Sequence, residues 1–178
     1  MKCLEIGPGK KKIKPKQGKI WEALQHPVSG KYHKGDIQHD IQIIPWPIKS
    51  NTYDLVFMSH VLEHIPWYKT QDVLKEIKRV LKPGGALEVW VPDFYTIIKT
   101  YINEYIPDKS REHNPDDDYM LWINKMIFAE GEHPHAAMFD RKYLERCLIR
   151  AGYKRVSMLD KPRKRNHKST NLGVGGIK

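Results

Sequence analysis

Two cysteines in 178 residues leave no basis for a disulfide scaffold. Cys3 and Cys147 fall in an apolar strand-like segment and on an apolar helix face, where small buried thiols are the expectation. No apolar run approaches the roughly 20 residues needed to span a bilayer. Gly7, Pro8 and a lysine run also come too early for a signal peptide, so a cytoplasmic protein without a membrane partner is expected. No internal repeat, low-complexity tract or Pro/Gly/Ser-rich linker divides the chain, and residues 1–178 read as one domain. With 40% hydrophobic and 29% charged residues, the composition excludes disordered and fibrous classes.

Acidic residues are the minority: 21 Asp and Glu against 31 Lys and Arg give a formal charge of +10. The excess gathers at Lys10, Lys11, Lys12, Lys14, Lys16 and Lys19, and again at Lys161, Arg163, Lys164, Arg165 and Lys168. Such clusters attract polyanions or anionic substrates without reading a base sequence, so weak, nonspecific nucleic-acid binding is the expectation. The oligomeric state is not legible.

Lys2–Ile6 reads as a short buried strand ended by Gly7-Pro8-Gly9. Residues 20–24 and the stretch from Tyr32 to Ile37 read as second and third strands. Residues 53–58 (YDLVFM) form a β-rich run led in by a turn-like segment at 49–52. Val73, Leu74, Ile77, Val80 and Leu81 recur at helical spacing, predicting a helix over 70–82 stopped by Pro83-Gly84-Gly85, with a strand from Ala86 to Val91. Ile98, Tyr101, Ile102, Tyr105 and Ile106 mark a further helix, and Leu144, Cys147, Leu148 and Ala151 another. Strands are expected over Tyr153–Leu159 and Asn171–Lys178. This alternation predicts an α/β fold with a mostly parallel sheet flanked by helices, binding ligands beyond the carboxyl ends of its strands.

Leu4-Glu5-Ile6-Gly7-Pro8-Gly9 places two glycines directly after a strand, where backbone can approach a ligand closely. A dinucleotide fingerprint would need a third glycine where Lys12 stands, and a helix where this chain has a Lys/Pro loop. NAD and FAD are therefore disfavoured.

With Glu5-Ile6-Gly7-Pro8-Gly9, Tyr53-Asp54-Leu55-Val56, residues 59–65 (SHVLEHI) and residues 76–85 (EIKRVLKPGG) in this order, the chain resembles the class I S-adenosylmethionine-dependent methyltransferases, type 11 methyltransferase domain. The resemblance implies a Rossmann-like methyltransferase fold, here shortened at the N-terminus, with S-adenosylmethionine as cofactor. It implies that Glu5 helps hold the amino-acid end, that Gly7, Pro8 and Gly9 form the cofactor turn, and that Asp40 and Ile41 flank the adenine. Ser59 and His60 would complete the cofactor side. For the ribose acid the nearest match is Glu22, which reads equally as a solvated strand-end residue.

His60, Glu63 and His64 have the spacing of H-x-x-E-H, whose members share one helix face and can ligate zinc. Pro66 would interrupt the long helix that an inverzincin needs. The pattern also resembles methyltransferases that hold a divalent cation after the fourth strand, with a later histidine available from residues 132–135 (EHPH), although His60 stands where those have a glutamate. A pocket wall and helix start explain it more simply, and no metal is assigned. His60, His64 and His135 are the candidate catalytic residues, because an imidazole suits proton removal near neutral pH. Asp116-Asp117-Asp118, Tyr119 and Trp122 read as an insertion after the fifth strand.

The expected activity is methyl transfer to a small-molecule or glycan-like acceptor. The alternatives are a non-catalytic module binding S-adenosylmethionine or nucleic acid, or a nucleic-acid methyltransferase. The last lacks support, since Met58-Ser59-His60-Val61 stands where an Asn/Asp-Pro-Pro-aromatic motif would be.

Overall fold

The computed structural model describes residues 1–8, 12–14, 18–25, 35–103, 119–128, 134–163 and 170–178. Among these, seven strands form one sheet: β1 (Lys2–Ile6), β2 (Ile20–Gln25), β3 (Ile37–Gln38), β4 (Tyr53–Ser59), β5 (Leu81–Pro92), β6 (Lys154–Met158) and β7 (Asn171–Ile177). Four α-helices accompany them, α1 (Thr70–Val80), α2 (Phe94–Ile102), α3 (Tyr119–Phe128) and α4 (Arg141–Arg150), with short 3-10 turns at Leu62–His64 and Trp67–Lys69. None of the described helices is long and apolar enough to cross a membrane.

The strand order is β3-β2-β1-β4-β5-β7-β6. β1 through β5 pair in parallel, and β7 runs antiparallel to both β5 and β6. The chain builds outward from β1 to β3 and then returns to place β4 on the other side of β1. The order therefore reverses between β1 and β4, which opens a crevice at their carboxyl ends.

Alternation along the strands sets the layers. Leu4, Ile6, Val56, Met58, Leu87, Val89, Val91, Leu172 and Val174 share the main core with Val73, Leu74 and Ile77 of α1 and Leu144, Cys147 and Leu148 of α4. Both cysteines are buried and free. Cys3, Leu55, Phe57 and Trp90 are buried in the opposite phase, so the central strands are covered on both faces, as parallel sheets require.

Three boundaries differ from the sequence expectation. α1 stops at Val80 rather than Lys82, and β5 starts at Leu81 rather than Ala86. The cause is pairing across an irregularity: Tyr53 lies opposite Leu81 and Leu55 opposite Ala86, so residues 82–85 bulge. There Gly84 takes a φ of +74° and donates its N–H to the Lys178 carbonyl. The third strand shrinks to Ile37–Gln38, and Tyr32 lies outside the described residues. In α2 the buried positions are Ile97 and Thr100, while Tyr101 and Ile102 are exposed. The expected stripe is rotated by one residue because Ile97 packs on Ile123 of α3, a partner not visible in local periodicity. Tyr105 and Ile106 lie outside the described residues.

Candidate functional site

At the end of β1, Gly7 takes a φ of +64° and donates its N–H to the Leu24 carbonyl at 3.0 Å. A Cβ at this position would collide with a methyl of Val61, so the turn after β1 and the turn after β4 are in direct contact. Pro8 is buried beside it, and Gly9 lies outside the described residues. Glu5 is buried, and its Oε2 accepts the Ile13 N–H at 2.7 Å. The acid of the first motif thus braces the loop that follows the turn.

Ser59 closes β4 and is partly exposed. His60 then adopts a φ of +54°, a left-handed conformation uncommon for a side chain of this size, held by its N–H to the Trp90 carbonyl at 2.9 Å. The reversal aims residues 60–64 across the carboxyl edge of the sheet. His60 Nε2 lies 2.8 Å from Asn171 Oδ1 and Nδ1 lies 3.2 Å from Glu63 Oε1. The second approach has ion-pair range without hydrogen-bond alignment, and neither oxygen of the buried Glu63 carboxylate has a hydrogen-bond partner among the described residues. Burial drives the Glu63 carboxyl upward, while the adjacent His60 and His64 imidazoles overcome it and hold the group below its ordinary range.

The segment before α4 completes this side. Ala136 and Ala137 both donate their N–H to the Glu63 carbonyl, at 2.7 and 3.0 Å. That clamp brings the His135 ring to 4.9 Å from His64, edge to face. His135 Nδ1 donates to the Met126 carbonyl at 2.9 Å, which leaves Nε2 as the basic nitrogen. Burial pushes the His135 pKa down; the Glu63 carboxylate pulls it up without offsetting burial, and the charge of His64 adds to the lowering. Asp140 caps α4 by accepting the Tyr143 N–H at 2.6 Å and fixes where the segment ends. His133 lies outside the described residues, as do Glu132 and Asp116-Asp117-Asp118.

His60, Glu63, His64 and His135 are therefore brought together, one turn from Gly7. Two expected cofactor residues are placed differently. Glu22 pairs with Lys2 at 3.0 Å and accepts the Tyr53 hydroxyl at 2.6 Å. Lys2 and Tyr53 are the first residues of β1 and β4, so Glu22 serves the amino edge of the sheet, opposite to the Gly7 turn. Ile41 is fully buried in the main core, its side chain committed to packing rather than to flanking a ligand. Asp40 shapes the turn before it, its carboxylate accepting the Gln42 N–H at 2.8 Å. Sequence reasoning missed Asn171, which reaches His60 only because β7 runs antiparallel and starts at the carboxyl end of β5.

This strand order, with its reversed β7 and with acid and glycine at the end of β1, defines the Rossmann-like fold of class I methyltransferases. Within it, residues 13–89 match the family described as a methyltransferase domain, a span that takes in the motifs at 53–56, 59–65 and 76–85 and begins after Glu5–Gly9. A demethylmenaquinone methyltransferase of Streptomyces griseus is 28% identical over 118 residues, which cover 62% of this chain and 46% of that protein. The chain thus spans less than half the length of that relative. A structure of a SAM-dependent methyltransferase from Archaeoglobus fulgidus superposes with a TM-score of 0.60 at 14% identity, covering 99% of this chain and 86% of that one. Human N-acetylserotonin methyltransferase in complex with SAM gives a TM-score of 0.59 at 16% identity, over 99% of this chain and 47% of that one. At such identities the superpositions speak for the fold.

Proposed function

We propose that the chain is an S-adenosylmethionine-dependent methyltransferase acting as one catalytic domain in the cytoplasm on a small-molecule or glycan-like acceptor. The observation that carries this reading is the meeting of the Gly7 and His60 turns at the strand-order reversal, with ionisable groups on one side of it. The residues present suit the cofactor: a left-handed glycine turn lets backbone approach closely, and Ser59 is partly exposed at the end of β4. In this reading Glu5, Gly7, Pro8, Gly9, Asp40, Ser59 and His60 form the cofactor side, and His60, His64 and His135 the acceptor side.

S-adenosylmethionine would supply a methyl group on a sulfonium, which passes to the acceptor while the sulfur keeps the bonding electron pair. The protein's part is alignment of the acceptor nucleophile with that methyl, which alone accounts for a large share of the barrier. With no metal bound, a proton leaving the acceptor has a receiver in Nε2 of His135, whose Nδ1 is committed to the Met126 carbonyl. The buried Glu63 carboxylate favours the imidazolium that would result.

Calorimetry with S-adenosylmethionine and its demethylated product is expected to give a micromolar-scale Kd, roughly −7 to −8 kcal/mol. No heat and no thermal shift at millimolar ligand would exclude the cofactor. A chain that binds the cofactor but forms no demethylated product with any acceptor class would be a binding module instead. The basic clusters are expected to bind nucleic acid only in a salt-sensitive, sequence-indifferent way.

A further inference from the structure

We propose that Glu63, His64 and His135 form a binding site for a divalent first-row transition-metal ion of the zinc or cobalt kind. One ligand atom from each of the three residues lies within 4.8 Å of the others. Around an ion held about 2.0–2.2 Å from nitrogen and oxygen ligands, such atoms stand about 3–4 Å apart. Small side-chain rotations close that difference.

Three observations point to a cation rather than to a chance meeting of polar groups. The Glu63 carboxylate is 1% exposed, and neither oxygen has a hydrogen-bond partner among the described residues. A buried carboxylate needs compensation, of which the His60 imidazole at 3.2 Å from Oε1 supplies a part and a coordinated cation would supply the rest. Second, His135 Nδ1 faces the Met126 carbonyl at 2.9 Å and His64 Nδ1 faces the Pro134 carbonyl at a longer 3.4 Å. A carbonyl can only accept, so each ring presents Nε2 as its lone-pair nitrogen. Metal-binding histidines are oriented by partners of this kind. Third, the paired bonds from Ala136 and Ala137 to the Glu63 carbonyl hold the two ligand-bearing segments together without any metal.

Two imidazoles with one carboxylate select against magnesium and calcium, which take oxygen ligands, and favour zinc, cobalt or nickel. Three protein ligands leave coordination positions for water or a ligand oxygen. The sequence spacing brings His60 into the set, but in the structure its Nε2 is engaged with Asn171 Oδ1 and its Nδ1 lies beside Glu63 Oε1. His135 takes its place as third ligand.

The inference does not depend on methyl transfer, and it is tested without cofactor or acceptor. The full chain, stripped with a chelator, is titrated with Co2+ followed by visible absorption, then with Zn2+ in competition, with Mg2+ as control. Saturable binding of one Co2+ per chain is expected, displaced by Zn2+ and not by Mg2+. His64→Ala and His135→Ala should each weaken it by at least about 100-fold. Glu63→Gln should act likewise. If it does not fold, as circular dichroism would reveal, His64→Ala at the partly exposed ring still decides the matter. No saturable Co2+ or Zn2+ binding by the native chain, or native affinity in both histidine variants, would overturn the site.

Discussion

The imidazole of His60 and the side-chain amide of Asn171 lie 2.8 Å apart, tying the turn after β4 to the first residue of β7 across 111 positions of sequence. His60 is in a left-handed conformation that costs on the order of 1–3 kcal/mol unless its surroundings hold it, and this contact is one of the groups that does so. Asn171→Ala is expected to lower stability by about 1 kcal/mol. It should also raise the KM for S-adenosylmethionine, because the turn carrying Ser59 loses a support. An unchanged melting temperature and an unchanged KM would show that the Trp90 carbonyl alone holds the turn.

Gly7→Ala tests the meeting of the two turns. The new methyl would face a φ of +64° and Val61 at once. Left-handed backbone costs an L-residue roughly 1–2 kcal/mol, and the Val61 contact adds to it. Lower stability is expected together with weaker cofactor binding. The double variant Gly7→Ala/Val61→Ala should recover stability in part by removing the methyl that is struck. If it recovered nothing, the damage would lie in the backbone conformation alone.

Glu76 supplies a pH dependence remote from the site. Its carboxylate is 4% exposed and accepts from the Trp46 N–H at 2.7 Å and from Arg79 at 2.6 and 2.9 Å. Burial raises its pKa, but Arg79 and the Trp46 amide outweigh burial and lower it. In the unfolded chain the group titrates near about 4.3. Below that pH the unfolded state binds a proton that the folded state refuses. The contribution is thus fully present above about pH 4.3 and lost as pH falls toward the folded pKa. Glu76→Gln should flatten this acid limb of the stability curve and cost about 1–3 kcal/mol at neutral pH. Parallel acid limbs for both proteins would contradict the assignment.

Local pattern carried much of the fold. The runs 53–58 and 171–178 and the stripe Leu144, Cys147, Leu148, Ala151 lie within a residue of where local pattern places them, because apolar period and β-propensity mark a buried strand or helix face whatever its partner is. The misplacements share a cause. Leu81 joins β5 because Tyr53 pairs with it, and α2 turns Ile97 inward because α3 offers Ile123. Such partners are distant in sequence. The motifs marked Gly7, His60, His64 and His135 by type and order, but which end of β2 holds Glu22 depends on register. It pairs opposite Leu4, the middle residue of β1, and its carboxylate turns to Lys2 and Tyr53 rather than to the Gly7 turn.

His135 gives the sharpest test of the acceptor side. Its ring is held by the Met126 carbonyl, has its pKa pushed down by burial and is set against His64. If its Nε2 receives the acceptor proton, His135→Ala should reduce turnover by about 10² to 10⁴ and leave the S-adenosylmethionine Kd within about twofold. His135→Gln, which can still accept a hydrogen bond but cannot hold a proton, should lose nearly as much, since position without basicity does not suffice. Metal dependence separates from this by the order of loss. A chelator that abolishes turnover in the native chain while cofactor stays bound assigns His135 to the ion. Full activity in excess chelator together with an inactive His135→Gln assigns it to the proton. Native turnover in both His135 variants with the true acceptor would remove base catalysis and leave alignment at the sulfonium methyl as the protein's contribution.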